Sequence, residues 1–235
     1  MRTIYPFALL LGAWWLLSAT GNPFVTPSPP DVLDRFEVAD AAPVTFGRVL
    51  LAYGLALVVG VLVGTAIGTV GSVRASVRPL VSFLFPVPKI ALYPALLIVF
   101  GLGSGSKVAL GFLEAVFPIL LATAAGTSRV PPQLLWSAAA LGRTRRVTVL
   151  LPAALPSILT GARIGLFGAI IGVFLGELVA GPDGLGHVMA VAYRTLDTPT
   201  MYVAIIAISL IGYGLDRAFL LARRRLLAWS PEERA

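Results

Sequence analysis

The sequence has no cysteine and a single histidine, His187, among its 235 residues. Disulfide frameworks, thiolate nucleophiles and cysteine-based zinc or iron–sulfur sites are thereby excluded. Any metal site or histidine-dependent triad would have to be built on that one residue. Charge is scarce too: 12% of residues are charged, against about 25% in soluble domains. With 57% hydrophobic residues and a mean hydropathy of +0.91, a soluble globule of this length would expose more apolar area than water tolerates. Composition therefore points to a bilayer. The net charge of +7 is explained by topology, as its distribution shows, and not by a nucleic-acid partner.

What the chain does have is long apolar runs. A transmembrane helix needs about 20 mainly apolar residues, and residues 5–21, 46–71, 80–101, 107–127, 158–179 and 200–221 each qualify. The first run reads as a retained anchor over residues 1–21, because it leads into a short polar segment. Residues 22–43 are rich in proline (Pro23, Pro27, Pro29, Pro30) and acidic (Asp31, Asp34, Glu37, Asp40), which predicts an extended outer linker. With the N-terminus inside, the cytoplasmic segments hold Arg2, Arg74, Arg78, Arg129, Arg143, Arg145, Arg146, Arg217, Arg223, Arg224, Arg225 and Arg234, 12 of the 18 basic residues. The outer segments hold Arg35, Arg48, Lys107 and Arg194. This asymmetry predicts six spans with both termini cytoplasmic.

Glycines mark packing faces. Gly60, Gly64 and Gly68 fall on one side of the second run, and Gly161, Gly165, Gly168, Gly172 and Gly176 line the fifth. Small residues at this spacing let backbones approach in lipid, either within one subunit or along an interface or moving path. The third run carries Pro79, Pro86, Pro88 and Pro94, with Lys89 among them. Proline removes a donor and disturbs the preceding turn, which predicts a break or helix start around residues 86–89.

The longest cytoplasmic segment, about 128–157, predicts a short helix. Pro131-Pro132 start it, Ala138-Ala139-Ala140 propagate it and Gly142 ends it. The segment resembles the "EAA" loop of ABC importer permeases, keeping Ala138, Gly142 and Leu151-Pro152. Aligned on Gly142, Trp136 stands at that family's glutamate and Ser137 at its first alanine, and the stretch to Pro152 is about three residues short, near one helical turn. The chain from Pro88-Lys89-Ile90-Ala91-Leu92-Tyr93-Pro94 through Phe100-Gly101-Leu102-Gly103 and Ser106-Lys107 is similar to the nitrate/sulfonate/taurine branch of these permeases. So are Gly176-Glu177-Leu178, Gly184-Leu185-Gly186, Leu196-Asp197-Thr198 and Arg223-Arg224-Arg225 with Trp229.

The resemblance implies an all-α polytopic membrane protein of about six transmembrane helices, with the type I ABC importer permease fold over residues 44–229 and a cytoplasmic tail at 230–235. It implies a bacterial inner-membrane location and three partners: an ABC ATPase subunit, an extracytoplasmic solute-binding protein and a second permease copy. Trp136, Ser137, Ala138, Ala139, Ala140, Leu141, Gly142, Leu151 and Pro152 become the expected ATPase-coupling residues. The branch handles small anions such as sulfonates, nitrate or taurine, while relatives take neutral heterocycles or vitamin precursors.

No cofactor is expected, since ATP belongs to the partner. The run Gly101 to Val108 superficially resembles a phosphate-binding loop, but that loop needs Gly-Lys-Ser/Thr, and here Ser106 precedes Lys107 and Val108 follows it. Ionisable residues inside spans mark function by default; Lys89, Glu114 and Glu177 are the candidates for a translocation path or gate. An intramembrane enzyme would need a nucleophile facing a base at depth, yet the histidine is in an outer loop. An ion-coupled secondary transporter would ask for paired midplane charges, of which only Glu114 is visible.

Overall fold

The computed structural model describes residues 4–22, 25–142 and 147–229. The described residues form ten α-helices: α1 Ile4–Thr20, α2 Pro29–Leu33, α3 Ala42–Thr69, α4 Gly71–Leu84, α5 Tyr93–Phe100, α6 Ser104–Ser128, α7 Pro132–Ala140, α8 Val147–Ala180, α9 Leu185–Thr195 and α10 Thr198–Leu226. Among these, α3, α6, α8 and α10 are long and apolar enough to cross a membrane. Helix α1, at 17 residues, is about 25 Å long by helical rise, just short of the hydrocarbon core of about 30 Å.

Helix α6 is the spine, and the glycines explain why. Lipid tails are as apolar as leucine, so helices in a bilayer associate through close packing and not through expulsion of water. A Cβ on Gly64 would stand 2.7 Å from the Leu120 carbonyl oxygen of α6, and one on Gly60 would stand 2.8 Å from Ile119. On the other side of α6, a Cβ on Gly165 would meet the Ala115 oxygen at 2.8 Å and one on Gly172 would meet Gly111 Cα at 2.7 Å. Both glycine faces are therefore used inside this one chain, clamping α6 between α3 and α8. Val49, Ala52, Ala56, Ala115, Ile119, Leu166, Ala169 and Val173 fill the core between them. Two hydroxyls of α6 are satisfied locally: Thr123 Oγ1 donates to the Ile119 carbonyl and Thr127 Oγ1 to that of Thr123, so neither is orphaned in lipid.

Four expectations are corrected. The run at 80–101 is not one span. Helix α4 ends at Leu84, a 3-10 turn occupies Lys89–Leu92, and α5 begins at Tyr93 with Pro94 in its first turn. Pro86 and Pro88 lack the N–H groups that would continue the ladder, so the chain breaks where their spacing predicts. The fifth helix begins earlier than residue 158. Helix α8 runs 34 residues from Val147, with Pro152 and Pro156 inside it, because Leu150, Ala154 and Ile158 are buried along one face; Gly126 of α6 approaches Ser157 and the Ala154 carbonyl there. The outer linker is not extended either. Ser28 and Asp31 form a reciprocal capping box that starts α2, a 3-10 helix follows at Phe36–Ala41, and Val32 is buried. His187 likewise stands in α9, not in an irregular loop.

Candidate translocation and coupling elements

At the ends of α3, α6 and α8 remote from α7, a polar cluster closes the helix ends. Glu177, near the end of α8, is 0% exposed. Its carboxylate accepts from Arg48 Nη1 at 2.8 Å, Thr45 Oγ1 at 2.8 Å and the Gly186 amide at 3.1 Å. Arg48 Nη2 reaches Asp183 at 2.5 Å, Nη1 also bonds the Asp183 carbonyl, and Nε donates to Ser104 at 3.0 Å. Thr45 Oγ1 in turn accepts from the Leu185 amide. Four elements are thereby tied together: the start of α3, the start of α6, the end of α8 and the start of α9.

The Gly184-Leu185-Gly186 sequence follows from this geometry. Gly184 sits at φ +91°, which L side chains rarely adopt, and a Cβ there would collide with the Glu177 carboxylate. Tyr93 adds a fifth element by donating to the Gly176 carbonyl at 2.6 Å, which pins α5 to α8. Lys107 is fully buried in α6 and donates to the Leu102 carbonyl in the turn before it. Arg48, Asp183 and Thr45 were invisible as site residues in the sequence. Their partners lie 129 to 135 positions away, and the one local signal was the glycine pair after Glu177.

The other two path candidates share a region of α6. Lys89 Nζ donates to the Phe85 carbonyl at 2.9 Å, and lies 5.1 Å from the Phe85 ring centre and 5.4 Å from that of Phe117. A cation over aromatic faces is held by their quadrupoles. Glu114 lies one turn from Phe117 on the same helix face. It is half-buried and makes no hydrogen bond or ion pair among the described residues. Lys89 and Glu114 thus approach one stretch of α6, while Glu177 belongs to the distant polar cluster. Elsewhere along α8, Arg163 makes a two-pronged bond to Asp216, at 2.8 and 3.0 Å, joining α8 to α10.

Helix α7 is different in kind. None of its residues is buried. Trp136 is 69% exposed and Leu141, just past its end, 84%. Ser137, Ala139 and Ala140 are exposed and Ala138 half-buried, and Gly142 follows at φ +79°. Leu151 and Pro152 stand apart from this element, one turn inside α8. Residues 143–146, which carry Arg143, Arg145 and Arg146, lie outside the described residues, as do Arg2 and Arg234.

Comparison with known proteins gives the family. A family model described as the binding-protein-dependent transport system inner membrane component matches residues 56–227. A probable ABC transporter permease protein of Brucella abortus (strain 2308) is 34% identical, over 97% of this chain and 94% of its own length. The taurine transport system permease protein TauC of Escherichia coli (strain K12) is 32% identical over 98% and 90%. The formylaminopyrimidine transport permease protein ThiX of Halalkalibacterium halodurans is 30% identical over 97% and 95%. With its apolar helices threaded through a bilayer, the chain belongs to the family of inner-membrane components of binding-protein-dependent transport systems, and is a multi-pass, non-enzymatic permease subunit of an ABC importer.

Proposed function

We propose that two copies of this chain pair to form the path of an importer for a small sulfonate- or taurine-like anion, handed over by an extracytoplasmic binding protein. The observation that carries this reading is α7, a helix without one buried residue that presents Trp136 and Leu141 to its surroundings. An exposed apolar helix outside the spans fits a partner's groove. On this reading the ATPase grips residues 136–142, and Leu151 and Pro152 carry the displacement into α8. Lys89 and Glu114 face the solute in the path, and Glu177 clamps the outer gate.

Both termini are cytoplasmic on this reading. Arg48 and Lys107 are buried within helices, so Arg35 and Arg194 are the basic residues left to the outer segments, which strengthens the charge asymmetry. Residues 1–21 then form an anchor, 22–43 an outer segment, 44–229 the permease domain and 230–235 an inner tail. ATP shifts the path between inward and outward states only through its differential affinity for them.

The test is Gly142→Asp, which places a charged side chain at a left-handed position in the proposed grip. Membrane insertion and ATP hydrolysis by the assembled complex are expected to persist while uptake is lost. Wild-type uptake by this variant would remove the coupling role. A second reading, a neutral heterocycle as solute, is favoured by the likeness to the formylaminopyrimidine permease over nearly its whole length. Competition of uptake by unlabelled taurine against unlabelled formylaminopyrimidine separates the two.

A further inference from the structure

A cavity of about 460 Å³ opens between α3, α4 and α6 at the α7 end of the molecule. This lies within the roughly 300–1,000 Å³ range of small-molecule sites. Its wall is apolar, with Ile67, Val81 and Leu120, and its exposed rim carries Arg74, Ser128 and Arg129. Arg74 spends two N–H groups on the end of α3, bonding the Ile67 carbonyl at 3.2 Å and that of Gly68. A guanidinium has five such groups, so three remain. The Arg129 side chain makes no hydrogen bond or ion pair among the described residues.

Nor do the described residues supply a counter-charge. The sequence holds no Asp or Glu between residues 41 and 113 or between 115 and 176. Asp216 is committed to Arg163, and Glu232 and Glu233 lie outside the described residues. The cavity's neighbour α4 is amphipathic, with Arg74 near its start and Leu80 and Phe83 exposed at its end (59% and 76%). This is the pattern of a helix lying in the membrane interface. Two cations at the rim of an apolar slot, at interfacial depth, complement a ligand with a phosphate at one end and a hydrocarbon chain at the other.

We propose that this cavity holds an anionic phospholipid of the inner leaflet, its phosphate on Arg74, Ser128 and Arg129 and an acyl chain along Ile67, Val81 and Leu120. The leaflet assignment rests on the topology proposed above. Basic pockets between spans on the cytoplasmic side recognise such headgroups, each arginine contributing roughly a five-fold preference. The lipid would wedge α4 against α3 and α6 and so hold the inner end of the broken third segment.

Native mass spectrometry of the full chain in detergent, with phosphatidylglycerol and phosphatidylcholine of matched acyl chains, tests this. Phosphatidylglycerol is expected to be retained preferentially. Arg129→Ala should lower that preference about five-fold, and Ala125→Trp, which fills the cavity with both arginines intact, should abolish lipid retention. Equal retention of the two lipids, an unchanged preference in Arg129→Ala, or displacement of the lipid by millimolar sulfate would each overturn the proposal, the last by making this a free-anion site. Because the chain has no cysteine, Ser128→Cys is a single reporter for an impermeant maleimide. Labelling from the outer side alone would overturn the topology and the leaflet together. Lost selectivity with inner labelling would overturn the lipid site alone.

Discussion

Arg48→Met is the most direct probe of how the polar cluster holds the helix ends. The substitution keeps the length and apolar stem of the side chain but removes the guanidinium that bonds Glu177, Asp183 and Ser104. Asp183 is 51% exposed and turns to water at little cost. Glu177 has no such recourse: it is 0% exposed and keeps only two neutral donors, Thr45 and the Gly186 amide. Removing one partner of a buried ion pair costs about 3–5 kcal/mol, mostly the penalty for the charge left behind.

Adding Glu177→Gln to Arg48→Met removes that stranded charge while keeping an acceptor for Thr45 and Gly186. The double variant is therefore expected to be more stable than Arg48→Met alone, by about 2 kcal/mol, a typical coupling between residues in one network. Unfolding by sodium dodecyl sulfate in mixed micelles, followed by far-UV circular dichroism, measures both differences. Arg48→Met within about 1 kcal/mol of the wild type, together with no rescue by Glu177→Gln, would refute the claim that the cluster is a desolvated clamp.

Two further substitutions separate roles that lie close in sequence or space. Gly184→Ala adds a Cβ at φ +91° into the Glu177 carboxylate; strain of about 1–3 kcal/mol should lower stability in the same assay, and an unchanged midpoint would argue against the close approach of this loop to the carboxylate. Glu114→Gln replaces the ionisable group of a half-buried residue with no partner among the described residues, so stability should stay within about 0.5 kcal/mol while uptake of a charged solute changes. Loss of stability with unaltered uptake would make Glu114 a packing residue.

Local pattern carried most of the fold into the sequence. Apolar runs located the long helices, the i, i+4 glycines marked the packing faces of α3 and α8 without naming α6 as their partner, and the prolines located the break before Lys89. The failures have different physical origins, and in α8 tertiary contact overrode a local rule. Pro152 and Pro156 read as loop because proline normally ends a helix. They sit inside α8 because the face of Leu150, Ala154 and Ile158 packs against the end of α6. The outer linker read as extended from its prolines, yet Pro29 and Pro30 occupy the first turn of α2, where proline is tolerated, behind a Ser28–Asp31 capping box. The Arg48–Glu177–Asp183 cluster had no local signature, since a single arginine near an outer helix end looks like any flanking charge. Its nearest clue was negative: two glycines placed where a side chain would strike the carboxylate.

The continuity of α8 changes what coupling has to explain. At 34 residues the helix is about 51 Å long, well beyond the hydrocarbon core of about 30 Å. One end begins five residues after Gly142, and the other carries Glu177 in the polar cluster. A pull on α7 would therefore meet a rod that is already tied to α6 by glycine contacts, to α10 through Arg163 and Asp216, and to α3 and α9 through Glu177. Long-range coupling calls for an element with two discrete arrangements, not for a chain of side-chain contacts. On the proposed reading the tied helices, with α5 pinned to α8 through Tyr93, would move as one body, and the stretch between α4 and α5 is the place where the backbone ladder is interrupted. The two arrangements should then differ in how α4 and the turn at Lys89 sit against α6, where Lys89 lies over Phe117 one turn from Glu114. Lys89 and Glu114 would stand at the joint between the moving body and α4, so a shift imposed at one end of α8 would reach the solute without any change inside the core.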